Sequence, residues 1–363
     1  MKIGILSMQR VINYGSVLQA YSLKQLLEEI SGAEVSFIDI DRSEIVAVHG
    51  NVSTTEDYVK HKSIISHPLH CVRKVKHKLL RQIYVKKIQD FQINTLHLDR
   101  HIKEEYDLTV IGSDEVFNAD PKIYLQLYGK VKNAKNVVSY AAACGMAEVK
   151  NIKEKDKPLV SDALNNICYM SVRDSHTKEY VQSLYKGQIE MHVDPVLAGN
   201  LRYREHKPVK SRKYLVVYAY AERIHDTEEI EAIIQFAKKK NLKIVTIGGQ
   251  QIWADCYLPL DPYRMLDYFY HADYVITDTF HGTVFSIING CRFAVIKRKS
   301  NEHKIVGVLD SVGLSDRLVQ STCDIEQVLA KSIDYEKVNR QLDIEHQRTV
   351  EYLKKCIEIA KDN

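Results

Sequence analysis

The stretch KIGILSMQRVINYGSVLQAYSLKQLLEEISGAEVSFIDI, residues 2–40, decides the fold class. Its first part, KIGILS (2–7), is a short apolar run of the kind that forms a buried strand. Residues 15–30 follow with Val17, Leu18, Tyr21, Leu23, Leu26 and Leu27 at helical spacing, so one helix face is apolar. Residues 34–40 are again strand-like. Strand, helix and strand in this order form a βαβ unit, and a parallel sheet with crossover helices is expected.

The same alternation continues outward. DLTVIG (107–112), NVVSYAA (136–142) and YMSVRD (169–174) read as further strands of a first lobe. A polar stretch, 202–213, carries Arg202, Arg204, Lys207, Lys210, Arg212 and Lys213 around Pro208, and reads as a linker. The plan then repeats with YLVVYAYA (214–221), a helix over 227–240, KIVTIGG (243–249), DYVITDT (273–279), a short helix near Gly282, and RFAVIK (292–297). The expected architecture is α/β, with two Rossmann-like lobes facing a cleft: a first lobe over 1–205, a second over 206–332, and a C-terminal helix over 333–363 that packs back across both. In such folds ligands bind beyond the carboxyl ends of the strands, which directs attention to residues just after each strand.

A chain of 363 residues with 45% hydrophobic and 27% charged residues has material for two cores and does not read as disordered. The apolar start is too short for a signal-peptide core, and no apolar run approaches the roughly 20 residues that cross a bilayer. Seven scattered cysteines without a C-x-x-C pair are read as reduced thiols of a cytoplasmic protein. His61, His67, His70, Cys71 and His77 lack the paired spacing of a zinc site, and no metal is expected. A net charge of +4 does not argue for nucleic acid.

Four constellations fall at strand ends. Asn13 and Gly15 precede a helix as cap and tight-turn residue, or face an anion or sugar hydroxyl. Ser113 and Asp114 close a strand, where Asp114 is either a cap or a group that binds hydroxyls or acts as a base. Arg173 either pairs with a carboxylate or recognises a phosphate or carboxylate ligand. The sharpest signal is Thr279-Phe280-His281-Gly282, where His281 follows an apolar strand and opens a helix, and is either a buried structural histidine or a group suited to general acid–base work. Gly282 and Thr283 are small enough there to let a ligand approach the helix N–H groups. No G-x-G-x-x-G fingerprint and no P-loop occur, which disfavours dinucleotide and ATP sites.

Together the segments NYGSVLQAYSL (13–23), IGSDEVFN (111–118), SYAAACG (139–145), SVRD (171–174), HVDPVL (192–197) and TDTFHGTVFSIING (277–290), in this order, resemble the polysaccharide pyruvyl transferase family. The resemblance extends from Asn13 to about Arg317. Phe117 stands where such proteins commonly carry Trp, and Ala143-Cys144 where Ser-Phe is usual. The resemblance implies a fold similar to the GT-B glycosyltransferases and transfer of pyruvate from phosphoenolpyruvate (PEP) to a sugar as a ketal, with no metal or organic cofactor. It implies that His281 matches the family's important histidine, with Arg173 its anion-binding partner. Around them, Asp114 and Asn13 are assigned to the acceptor, Phe280 to a sugar face, and Lys297 and Arg298 to extra phosphate charge or a solvated basic edge. Two rival readings remain, a GT-B glycosyltransferase using a nucleotide sugar and a non-catalytic carbohydrate-binding protein.

CVRKVKHKLLRQIYVKKIQDF (71–91) places Val72, Val75, Leu79, Ile83, Ile88 and Phe91 on one helical face among Arg73, Lys74, Lys76, Lys78, Arg81, Lys86 and Lys87. Such a helix packs on the first lobe, rests on an anionic membrane surface from the cytoplasmic side, or binds the diphosphate of a lipid-linked acceptor.

Overall fold

In the computed structural model the described residues are 1–48, 68–99, 105–119, 121–210 and 213–362. The opening βαβ unit comprises β1 (Lys2–Leu6), α1 (Tyr14–Ser31) and β2 (Glu34–Phe37). Asn13 stays extended, and its side chain accepts the Gly15 N–H at 2.7 Å, which caps α1. Gly32 closes the helix in the left-handed conformation at φ 64°, which glycine adopts without a Cβ clash.

The first lobe continues through β4 (Tyr106–Ile111), β6 (Ala134–Ser139), β7 (Ile167–Val172) and β8 (Ile189–Met191), giving a parallel sheet ordered β2-β1-β4-β6-β7-β8. A short antiparallel pair, β3 (Ile45–Ala47) with β5 (Lys122–Tyr124), lies beside it. The second lobe holds β9 (Tyr214–Ala219), β10 (Lys243–Gly248), β11 (Cys256–Tyr257), β12 (Tyr274–Thr277), β13 (Phe293–Ile296) and β14 (Leu318–Val319), ordered β11-β10-β9-β12-β13-β14 and also parallel. The strand order reverses at β1/β4 in the first sheet and at β9/β12 in the second, and crevices form at such switch points.

The edge strands β8, β11 and β14 escape the sequence reading. They are two or three residues long, and too few side chains are buried to leave a period. The polar stretch between lobes is not free in solvent: Arg204 pairs with the buried Asp267, whose carboxylate also accepts the Lys207 N–H. Arg212 lies outside the described residues.

One apolar cluster joins the lobes behind the cleft. Tyr14, Val17 and Leu18 of α1 and Val196 and Leu197 of α5 (Pro195–Ala198) meet Val284 and Phe285 of α8 (Phe280–Ile288). The final helix, α11 (Tyr335–Asp362), begins against the second lobe, where the Tyr335 hydroxyl donates to the Cys291 carbonyl. It ends on the first lobe, with Leu353, Cys356 and Ile357 in the core and the Tyr352 hydroxyl donating to Ser139 O at 2.8 Å. Between them, α2 (Pro68–Asn94) buries Ile88 and Phe91, whereas Leu79 and Ile83 remain 55% and 37% exposed. The side chains of Val72, Val75, Arg73, Lys74, Lys76, His70 and Cys71, with His61 and His67, lie outside the described set. Among the described residues no helix is long and apolar enough to cross a membrane.

Candidate active site

The facing strand ends enclose a cavity of about 460 Å³. The first lobe supplies Asn13, Ser16, Asp114, Glu115 and Arg173; the second supplies Tyr220, Arg223 and Thr279 to His281, then Ser300, Asn301 and Lys304.

His281 sits in the first turn of α8, whose N-cap Thr279 accepts the Gly282 N–H at 2.9 Å. Its Nε2 points inward to Asp194 Oδ2 at 3.6 Å, an ion-pair distance longer than a hydrogen bond, and has no other partner among the described residues. The Nδ1 edge faces α1: a Cβ on Gly15 would lie 2.2 Å from Nδ1 and 2.3 Å from the ring carbon Cγ. Gly15 is thus the second residue of α1, and what it supplies is space for the imidazole. No turn at this position requires it.

Asp194 is fully buried. Its Oδ1 accepts the Val196 N–H at 3.0 Å, capping α5, and its Oδ2 receives Ser113 Oγ at 3.1 Å and Arg173 Nη1 at 3.2 Å. Burial pushes this carboxyl up, but His281, Arg173 and the Val196 N–H outweigh it and hold it below the ordinary carboxylate range. It is an anion at neutral pH. Arg173, only 5% exposed at its side chain, also stacks its guanidinium over Phe280 at 4.1 Å from the ring centroid.

Asp114 adopts φ 82°, a strained left-handed value for a residue with a Cβ, and it does not cap a regular helix. Its carboxylate accepts Ser16 Oγ at 2.7 Å and the Glu115 N–H at 2.9 Å, which ties β4 to the start of α1. Glu115 next to it pairs with Lys304. Burial raises the Glu115 carboxyl, but Lys304, then Arg173 and His281, bring it below its usual value. Behind the second-lobe wall, the buried Asp278 receives Arg298 Nε at 3.1 Å and Arg223 Nε at 3.3 Å, and Arg298 is held bidentately by Glu229 at 2.8 and 2.7 Å.

Of the residues singled out in the sequence, Asn13, Asp114, Arg173, Thr279, Phe280 and His281 converge on the cavity. Gly15 abuts it through His281. Ser113 does not line it; it is fully buried and braces Asp194. Gly282 faces Thr277 and Tyr218, where a Cβ would come within 2.0 Å of Thr277 Oγ1, and its N–H is taken by Thr279. The Thr283 N–H is likewise spent on Thr279 O, so neither is offered to a ligand. Lys297 lies outside the wall, paired with Glu302 at 3.0 Å, and Arg298, half-buried, is taken up by Glu229 and Asp278. Missed in the sequence were Asp194, Glu115, Arg223 and Lys304. Asp194 stands in HVDPVL, one of the segments that carry the family resemblance, where an Asp before a Pro also marks a helix start. Among the described residues no cluster of His, Cys, Asp or Glu is placed to hold a metal.

Two facing parallel α/β lobes with the site between them define a GT-B-type fold, and comparison with solved structures agrees. The S. aureus MnaA–UDP co-structure matches with a TM-score of 0.51 and 14% identity, over 99% of this chain and 97% of that one. A UDP-N-acetylglucosamine 2-epimerase matches with a TM-score of 0.51 and 12% identity, over 97% and 94%. At these identities the likeness is one of fold. No curated protein matches the sequence. The pattern that defines the polysaccharide pyruvyl transferases does match, over residues 13–300, and the chain belongs to that family.

Proposed function

We propose that the protein transfers pyruvate from PEP to two hydroxyls of a sugar, forming a ketal and releasing phosphate, in the assembly of a capsular or other surface polysaccharide. The observation that carries this reading is the convergence of His281, backed by the buried Asp194, with Arg173 and Lys304 in one cavity. PEP brings a carboxylate and a phosphate, and these two cations are suited to hold both. An Nε2–H directed at Asp194 leaves Nδ1, which lies beside Gly15 with no side chain between them, as the nitrogen that exchanges protons.

In this reading the imidazolium gives its proton to the methylene carbon of PEP, and the adjacent carbon becomes cationic. A sugar hydroxyl adds to that carbon, losing its proton to His281. Phosphate leaves with its bonding electrons, a second hydroxyl adds, and its proton departs with phosphate or solvent. One proton enters a C–H bond and two leave hydroxyls, so the sum is PEP plus diol giving ketal plus phosphate. Asp114 and Asn13 orient the acceptor. Incubation with PEP and a panel of free, nucleotide-linked and lipid-linked sugars, with mass detection of ketal and parallel phosphate release, tests this. Sugar transfer from a nucleotide sugar without consumption of PEP would overturn it.

The setting proposed is the cytoplasmic face of a membrane. Leu79, Ile83 and Lys86 are exposed on one side of α2, a combination that suits peripheral contact with anionic lipid. Sedimentation with anionic and neutral vesicles at low and high salt checks it; equal, negligible binding to both at low salt would remove the membrane from the account.

A further inference from the structure

A second cavity, of about 420 Å³, adjoins the first at Asn13, Tyr218 and Tyr220. Asn13, Tyr218 and Tyr220 line both spaces, so a ligand seated at His281 can extend over them without leaving the cleft. The second cavity spans the lobes: Lys78, Arg81 and Tyr84 come from α2, Tyr257 from β11, and Gly249 from the turn after β10.

Two features give it a chemistry. Tyr84, Tyr220 and Tyr257 offer aromatic surface of the kind that takes the apolar face of a sugar ring or a base. Lys78 and Arg81, at i and i+3, project from one side of α2, about 5–6 Å apart at Cβ. Neither has an ion-pair partner among the described residues. Burial pushes the Tyr257 hydroxyl up, and the charge of Arg81, which lines the same cavity, acts against it. Among the described residues Glu222 is the sole carboxylate on the wall, so the balance there is basic. Lys78 and Arg81 also lie on the side of α2 opposite Leu79 and Ile83.

We propose that this second cavity binds a diphosphate ester through which the acceptor sugar is attached to its carrier, the phosphoryl oxygens on Arg81 and Lys78 and the adjoining ring on the tyrosines. The inference rests on reading the His281 cavity as the site of pyruvyl transfer. One carboxylate would engage one of the two cations, whereas adjacent phosphoryl groups present acceptors to both, and the guanidinium fork matches phosphate oxygens. A nucleotide and a polyprenol both supply such a diphosphate.

Calorimetric titration separates the sources. The probes are uridine diphosphate and farnesyl diphosphate, with N-acetylglucosamine as the uncharged control, each against the unaltered protein, Arg81→Ala and Lys78→Ala. At least one diphosphate is expected to bind, more weakly at high salt, with roughly tenfold loss of affinity in Arg81→Ala and a smaller loss in Lys78→Ala. Binding of uridine diphosphate alone assigns a nucleotide carrier, of farnesyl diphosphate alone a lipid carrier, and of both the diphosphate itself. Binding of neither, or equal binding by the unaltered protein and Arg81→Ala, overturns the proposal. Arg81-dependent binding without ketal formation from PEP would sink the pyruvyl reading alone. Ketal formation with Arg81-independent binding would sink this one alone.

Discussion

Asp194 and Asp278 are both fully buried carboxylates just past strands, both contact arginines, and they lie behind opposite walls of one cleft. Each neighbourhood leaves a buried polar atom unpaired, His281 Nε2 and Arg173 Nε beside the one and Asp278 Oδ1 in the other. Unsatisfied atoms therefore do not tell them apart. Charge balance does. Asp278 and Glu229 face Arg223 and Arg298, two anions against two permanent cations, a closed set that holds β9, β12 and β13 in register. Asp194 faces one permanent cation, Arg173, and one imidazole that can take or give a proton. A closed set fixes shape; an open one includes a group that can carry a proton in or out, which is what acid–base chemistry requires.

The largest effect expected from breaking this contrast is on stability. Arg298→Met strips Asp278 and Glu229 of a shared partner and should cost about 3–5 kcal/mol, as for other broken buried pairs. Denaturant melts read it directly, and a loss under about 1 kcal/mol would show that the set does not hold the wall. A somewhat smaller effect belongs to His192, in the strand-end loop leading to Asp194. Its ring is buried beside Tyr140 and Tyr352, bonds Ser171 Oγ at 2.9 Å, and has its pKa lowered by burial to about 4. The unfolded chain takes up this proton near pH 6.5 and the folded one only near 4. Stability is therefore complete above about pH 6.5 and falls by about 3 kcal/mol as pH drops toward 4. His192→Gln should flatten that slope; an unchanged slope would place the acid sensitivity elsewhere.

On the open side, His281→Ala is expected to lower turnover about 100-fold with the fold retained, equivalent to about 2.7 kcal/mol of barrier. Near-normal turnover would return His281 to a packing role. The smallest and most discriminating change is Gly15→Ala. Its methyl would occupy the space of the imidazole edge, so the ring must shift and turnover should fall by about tenfold, with a smaller loss of stability than in Arg298→Met. If turnover holds, the ring has another resting place and Nδ1 is not confined by α1.

The sequence by itself determined the alternation of strands and helices, because short continuous apolar runs and an apolar period of 3.6 are local properties of the chain. It also marked Asn13, Asp114, Arg173 and His281 as strand-end residues, since a parallel sheet places all such residues on one rim. What only the tertiary structure decided is who meets whom across that rim. Gly15 and His281 touch across 266 positions of chain (281 minus 15), Glu115 finds Lys304, and Asp194 reaches His281 from the neighbouring lobe. None of these pairs leaves a period or spacing, because each is set by how two sheets dock and not by any segment's own preference. Lys297 and Arg298 show the converse. Adjacent in sequence and alike in charge, they part as one pairs with Glu302 at the margin and the other enters the Asp278 set, since successive side chains of an extended segment point opposite ways.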